Sequence, residues 1–293
     1  MTIRPHLFLL IALAVSVTSI STLLARRQSA TGYWVPTRHQ MRTAQHYFEG
    51  AFEAVRRGPD ARLPERDARA LGLTLSAWHE GDAQGMLLHE PQGKGCNEGR
   101  GIYALRQKTA RRHVAIFAPH SGYDQRTGTI AMRLVLEHGF TAAGWNSAPR
   151  VTSKSCHAAG DVAHTATHYM TAFSLAFAAR YPGGRVVQLH GFAPAKRSGQ
   201  NAQEADIIIS NGTRQPNEIL LDVADCLSRR LAGHRTSVFP VDTQELGALT
   251  NAQGRALRDA GHGNFIHVEL SPAMRQNLAG DAALRTQFAA CLL

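Results

Sequence analysis

Val114-Ala115-Ile116-Phe117-Ala118-Pro119-His120-Ser121-Gly122-Tyr123-Asp124 is an apolar run stopped by a proline, then a histidine, a small flexible pair and a carboxylate. The unbroken apolar run reads as a strand buried on both faces, and Pro119 cannot donate to its ladder. The polar residues therefore fall at the C-terminal end of a buried strand, where open α/β sheets collect their ligands and catalytic groups. This makes His120 and Asp124 candidate metal ligands.

Outward from this strand, helical and extended patterns alternate. Downstream, the periodicity predicts a helix over 127–137 ended by Gly139, a strand over 140–145 and a polar loop over 146–160. A long helix over 162–180, capped by Asp161, then precedes a strand over 185–190 that ends in His190. Further strands are expected at 205–210, 236–240 and 264–270, with helices over 217–231 and 245–260 between them and Pro272 opening the last helices. Upstream, Met41, Ala44, Phe48, Ala51, Phe52 and Val55 recur at helical spacing within 36–57. A short helix over 63–71 and two strands, 85–90 and 101–106, follow. Strand–helix alternation without a repeat or linker predicts one α/β domain over 32–293, three-layered around a mixed, mainly parallel sheet.

Residues 1–25 read differently. Arg4 precedes the apolar stretch 7–15, and Ser and Thr become frequent after it, as in a secretory signal peptide. Leu23 and Leu24 lengthen the apolar segment, so an uncleaved N-terminal membrane anchor is the alternative. Either implies a secreted, periplasmic or membrane-anchored protein. In an oxidising compartment the four cysteines, Cys96, Cys156, Cys226 and Cys291, predict two disulfides. Four cysteines allow three pairings; we favour Cys96 with Cys156 and Cys226 with Cys291. None has the C-x-x-C spacing of a cysteine zinc site or redox motif.

The net charge of +10 admits an anionic partner. Its basic residues, however, come as scattered pairs such as Arg111-Arg112 and Arg229-Arg230, with no long run or aromatic interleaving. That pattern argues against nucleic acid and for a solvated basic surface. There is no G-x-S-x-G nucleophile elbow, no phosphate loop and no G-x-G-x-x-G after a strand.

Three strand ends thus carry chemistry: His120 with Asp124, then His190, then Glu269. Two histidines and a carboxylate form a catalytic zinc set that keeps a position open for water, and a further carboxylate can shuttle the proton. His164-x-x-x-His168, with Asp161 and His157 before it, is a competing pair on one helix face. It lacks the glutamate of a metalloprotease helix, so Asp161 and His164 read better as support for the pocket.

Ala-Pro-His120-Ser-Gly-Tyr-Asp124, Leu-His190-Gly-Phe and His267-Val-Glu269-Leu-Ser together resemble the signature segments of zinc-carboxypeptidase-like amidohydrolases. Within that superfamily the chain is most similar to the N-formylglutamate amidohydrolase and poly-γ-glutamate hydrolase group, over about residues 110–280. The resemblance implies a phosphorylase/hydrolase-like fold, one zinc ion, and hydrolysis of an amide next to a carboxylate in a small acidic peptide or acyl-amino acid. It implies His120, Asp124 and His190 as zinc ligands and Glu269 as general base and acid. Arg150, Arg197 and Arg275 are candidates for holding a substrate carboxylate. Asp124 stands where that group more usually carries glutamate, and its shorter side chain must approach the metal more closely. The alternatives are therefore a ligand-binding protein with an altered site and, on charge alone, a nucleic-acid-binding module.

Overall fold

The structure, a computed structural model, describes residues 17–25, 33–58, 61, 63–91, 98–147, 150 and 161–293. Among these residues ten strands form one sheet: β1 (Val17–Thr18), β2 (Thr74–Glu80), β3 (Ala83–His89), β4 (Ile102–Arg106), β5 (Val114–Ala118), β6 (Ala142–Trp145), β7 (Arg185–Gly191), β8 (Ile207–Ser210), β9 (Thr236–Val238) and β10 (Phe265–Leu270). Their spatial order is β1-β2-β3-β4-β6-β5-β7-β10-β8-β9. The central four, β6, β5, β7 and β10, run parallel. Antiparallel strands flank them, β4 beside β6 and β8 beside β10. The sheet is mixed and parallel at its centre, as the alternation of patterns predicts.

Helices α1 (Ile20–Ala25), α4 (Thr127–His138), α7 (Glu218–Arg230), α9 (Pro272–Gly280) and α10 (Ala282–Leu292) cover one face. Helices α2 (Arg38–Arg57), α3 (Glu65–Ala70), α5 (Tyr169–Arg180) and α8 (Ala252–Asp259) cover the other. A short α6 (Gln200–Glu204) sits in the loop after β7. Side-chain alternation along β5 explains why this strand is apolar throughout. Val114, Ile116 and Ala118 enter the first core, and Ala115 and Phe117 the second. The second core is aromatic: Phe173 of α5 meets Phe48 and Phe52 of α2, Tyr103 of β4 and Phe117 of β5.

The winding positions the site. The chain runs from β5 through α4 on one face to β6, then back through α5 on the other face to β7, on the far side of β5. Where the winding reverses, a crevice opens beyond the C-terminal ends of β5 and β7. His120 lies just beyond the first strand and His190 is the penultimate residue of the second.

Some expected elements differ. β2 has no counterpart in the sequence reading; it pairs with β3 through Gly81-Asp82, a two-residue hairpin turn with Gly81 at φ +59°. The helix expected over 162–180 is a short 3-10 turn, Val162–His164, followed by α5, because His168 caps the latter through its ring nitrogen. Asp161 caps neither; its carboxylate turns to His120. The helix expected from 245 begins at Ala252, where the Asn251 side chain accepts from the Gly254 N–H.

Cys226 of α7 and Cys291 of α10 form a disulfide, with Cα atoms 5.4 Å apart. Cys96 and Cys156, like His157, lie outside the described residues. So do residues 1–16 of the N-terminal segment; Ile20 and Leu23 of α1 are buried against the sheet. No helix among the described residues is long and apolar enough to cross a membrane.

Candidate active site

Beyond the end of β5, Ser121, Tyr123 and Asp124 donate their backbone N–H groups back to Ala118 and His120, curling the chain into a tight turn. The turn brings His120 and Asp124, four residues apart, to one side. Asp124 is not a helix cap. α4 begins after Arg126, whose backbone is left-handed at φ +71°, so the carboxylate is free to face inward.

Asp124 Oδ2 is the focus of the cluster. It lies 3.6 Å from His120 Nδ1 and 3.6 Å from His190 Nδ1, and it accepts from the Gly191 N–H at 3.1 Å. The outer nitrogen of each imidazole meets an acceptor. His120 Nε2 is 2.8 Å from Asp161 Oδ1, and His190 Nε2 is 3.3 Å from Gln188 Oε1. A histidine that binds a metal through one nitrogen donates the other N–H in this way, and the outer partner fixes the ring.

β10 adds a second pair. In the parallel ladder Glu269 is in register with His190, and His267 with Gln188. All four side chains leave the same face, where Val186 and Phe265 join the second core one step earlier. Along that face apolar residues thus give way to polar ones towards the strand ends. The His190 and His267 rings lie 4.6 Å apart, and His267 Nε2 is 3.6 Å from Glu269 Oε1. His267 Nδ1 and Glu269 Oε2 are buried and have no hydrogen-bond partner among the described residues. Among the described residues two overlapping groups could hold a metal: His120, Asp124 and His190, or His190, His267 and Glu269.

The electrostatics separate these residues. Burial opposes charge on His120, but Asp124 and Asp161 outweigh it and raise its pKa. Burial would raise Asp124, yet the two histidines hold it well below the carboxylate range. His190 is pushed down to about 4 by burial, against the pull of Asp124, and burial with the neighbouring imidazoles holds His267 well below the ordinary histidine range. Burial, with the Asp124 charge second, pushes Glu269 up to about 8. A carboxyl poised near neutrality beside an ionised one is the separation that acid–base catalysis uses.

These residues line a cavity of about 650 Å3. Arg150, Lys196 and Arg197 stand on its wall. Arg150 is 3.5 Å from Asp161 and lies over the Tyr123 ring, and Arg197 pairs with Glu245 at 3.3 Å. Lys196 has no carboxylate partner among the described residues. Arg275 does not line the cavity; it packs behind Gly191 and donates to the Leu270 carbonyl. His164 lines the cavity, whereas His168 is buried in capping α5 and in a contact with the Gly99 carbonyl.

Sequence reasoning left His267 and Gln188 without a role, although each stands two residues before a selected strand-end residue and so on the same face. Lys196 carried no motif.

No protein-family model matches the chain, and no curated protein matches it. Solved structures do. One is the N-formylglutamate amidohydrolase from Ralstonia eutropha JMP134, at 12% identity and a TM-score of 0.41, covering 67% of this chain and 96% of that one. A gene product of Agrobacterium tumefaciens is 16% identical, with a TM-score of 0.38 and coverage of 62% and 91%. A Zn-dependent exopeptidase from Parabacteroides distasonis ATCC 8503 is 13% identical, with a TM-score of 0.31 and coverage of 88% and 99%. The first of these bears the name of the group that the sequence motifs resemble. At these identities and scores the functional reading stands on the side chains alone.

Proposed function

We propose that the protein is an exported, zinc-dependent hydrolase of amide bonds in small anionic substrates. The observation that carries this reading is the convergence of two buried imidazole nitrogens on one buried carboxylate oxygen, each at 3.6 Å. A proton on His120 would satisfy Asp124 and Asp161. It would leave neutral His190 without a cation to share with Asp124, and the Glu269 oxygen still orphaned. A divalent ion fits the nitrogen-and-oxygen donor set, and oxygen plus imidazole ligation suits zinc.

His120, Asp124 and His190 would hold the ion, with Asp161 and Gln188 bracing the two rings. Zinc bound there supplies Lewis-acid polarisation of the scissile carbonyl and acidifies water. Glu269 Oε2, unpaired and on the cavity wall, would be ionised by a cation held beside it, and would then accept a proton from water and return it to the leaving nitrogen. Neutral His267 keeps the wall beside Glu269 polar without adding charge. Lys196, with Arg150 and Arg197 behind their carboxylate partners, makes the cavity attractive to an anionic substrate, such as a γ-glutamyl or cell-wall peptide or an N-acyl amino acid. The Cys226–Cys291 disulfide supports export. The nearness of Asp124 to both imidazoles favours a working site over an altered one.

The experiment is metal analysis of the purified protein with amide-hydrolysis assays on N-acyl glutamate and γ-glutamyl peptides, before and after chelation. One zinc per chain and chelator-sensitive turnover are expected; activity indifferent to chelators would overturn the reading.

A further inference from the structure

We propose that three buried amides, Asn251, Gln188 and Gln253, form a relay that dictates which nitrogen of His190 faces the metal. The proposal rests on the metal reading above and deepens it.

Amide side chains ordinarily leave their oxygen and nitrogen ends interchangeable, and the hydrogen-bond network decides between them. Here backbone groups decide at both ends. Asn251 Oδ1 accepts from the Gly254 N–H at 2.9 Å, so Asn251 Nδ2 is the end that donates, 2.7 Å from Gln188 Oε1. At the other end, Gln253 Nε2 donates to the Val162 carbonyl at 3.0 Å and to Thr171 Oγ1 at 2.9 Å. Its oxygen must then accept, and it does, from Gln188 Nε2 at 3.0 Å. Both constraints turn Gln188 Oε1 towards His190 Nε2.

An amide oxygen cannot donate. His190 Nε2 therefore carries a proton against it, and Nδ1 is left with its lone pair aimed at the centre. Gln188 and Gln253 are fully buried and Asn251 nearly so, so water does not compensate a reversed amide. The relay also joins the two histidines mechanically. Gln253 grips the Val162 carbonyl, next to Asp161, whose carboxylate braces His120. The same three amides thus hold the brace of one imidazole and orient the other. They are positioning residues, since none belongs to either candidate metal group, and buried polar networks of this kind repay their desolvation only when every member is satisfied.

The test is a zinc titration of the whole protein carrying 15N-labelled histidine, with zinc affinity measured by chelator competition for wild type and Gln188→Met. In wild type, zinc should shift His190 Nδ1 while Nε2 keeps its proton. Gln188→Met should weaken zinc ten- to a hundredfold, the usual effect of losing an outer partner. A purely packing role would lower thermal stability and leave the affinity of the folded protein alone. Zinc on His190 Nε2, or wild-type affinity in Gln188→Met, would overturn the relay. The wild-type nitrogen assignment stands even where the variant does not fold. A wild-type protein that binds no zinc would instead overturn the functional reading itself.

Discussion

His190 and Glu269 are register partners in the β7–β10 ladder, so two buried titratable side chains leave one sheet face side by side. Parallel pairing alone sets this; no loop is involved. The imidazole is held neutral by burial, and the same burial keeps the carboxyl reluctant to ionise.

The first prediction follows from that pair. Glu269→Gln preserves shape and removes the proton acceptor. Turnover should fall by about 10²–10⁴-fold while zinc content stays at the wild-type level. Full activity in this variant would remove Glu269 from the mechanism.

Asp161 is the brace of His120, and it also holds Arg150. Asp161→Ala should weaken zinc about 10–100-fold and leave the fold intact, which chelator competition and circular dichroism would separate. Unchanged affinity would mean that His120 needs no outer carboxylate.

Acid should destabilise the metal-free protein within a defined window. Burial lowers His168 and His190 to about 4. An unfolded histidine takes up a proton at about 6.5. The unfolded state therefore binds more protons between about pH 6.5 and 4, and unfolding free energy falls as the pH drops through that range. For His168 alone the loss is at most about 3 kcal/mol. His168→Asn keeps a helix-capping acceptor and should flatten the slope; denaturant melts from pH 7 to 4 would show an unchanged slope if His168 contributes nothing.

Phe173 lies at the junction of α2, α5 and the sheet, fully buried among four aromatic rings. Phe173→Ala should cost about 3–5 kcal/mol, read as a lower denaturation midpoint at unchanged slope.

The legible parts of the molecule were those with local causes. β5 is apolar on both faces and is stopped by Pro119, and His190 and Glu269 lie near the C-terminal ends of strands that open on apolar pairs, Val186-Val187 and Phe265-Ile266. Their apolar patterns reveal a central sheet and three strand ends. The less legible parts depend on partners distant in sequence. Asp161 looks like a cap until His120, 41 residues earlier, takes its carboxylate. Asn251 falls inside the helix expected over 245–260, yet it caps a shorter one and its side-chain N–H reaches Gln188, 63 residues earlier, and so bears on His190. His267 and Lys196 join the site only once the ladder and the loop after β7 bring them there. The hairpin turn Gly81-Asp82 was a local signal, and it marks β2 once Leu73 and Trp78 are seen to be buried.

The central claim is that His120, Asp124 and His190 form one metal site. Zinc stoichiometry by elemental analysis, on wild type and on Asp124→Ala and His190→Ala after dialysis against trace zinc, tests it most directly. The account predicts one zinc per wild-type chain and almost none in either variant, with each variant still folded. Zinc retained at full stoichiometry in both variants, or absent from the wild type, would contradict it.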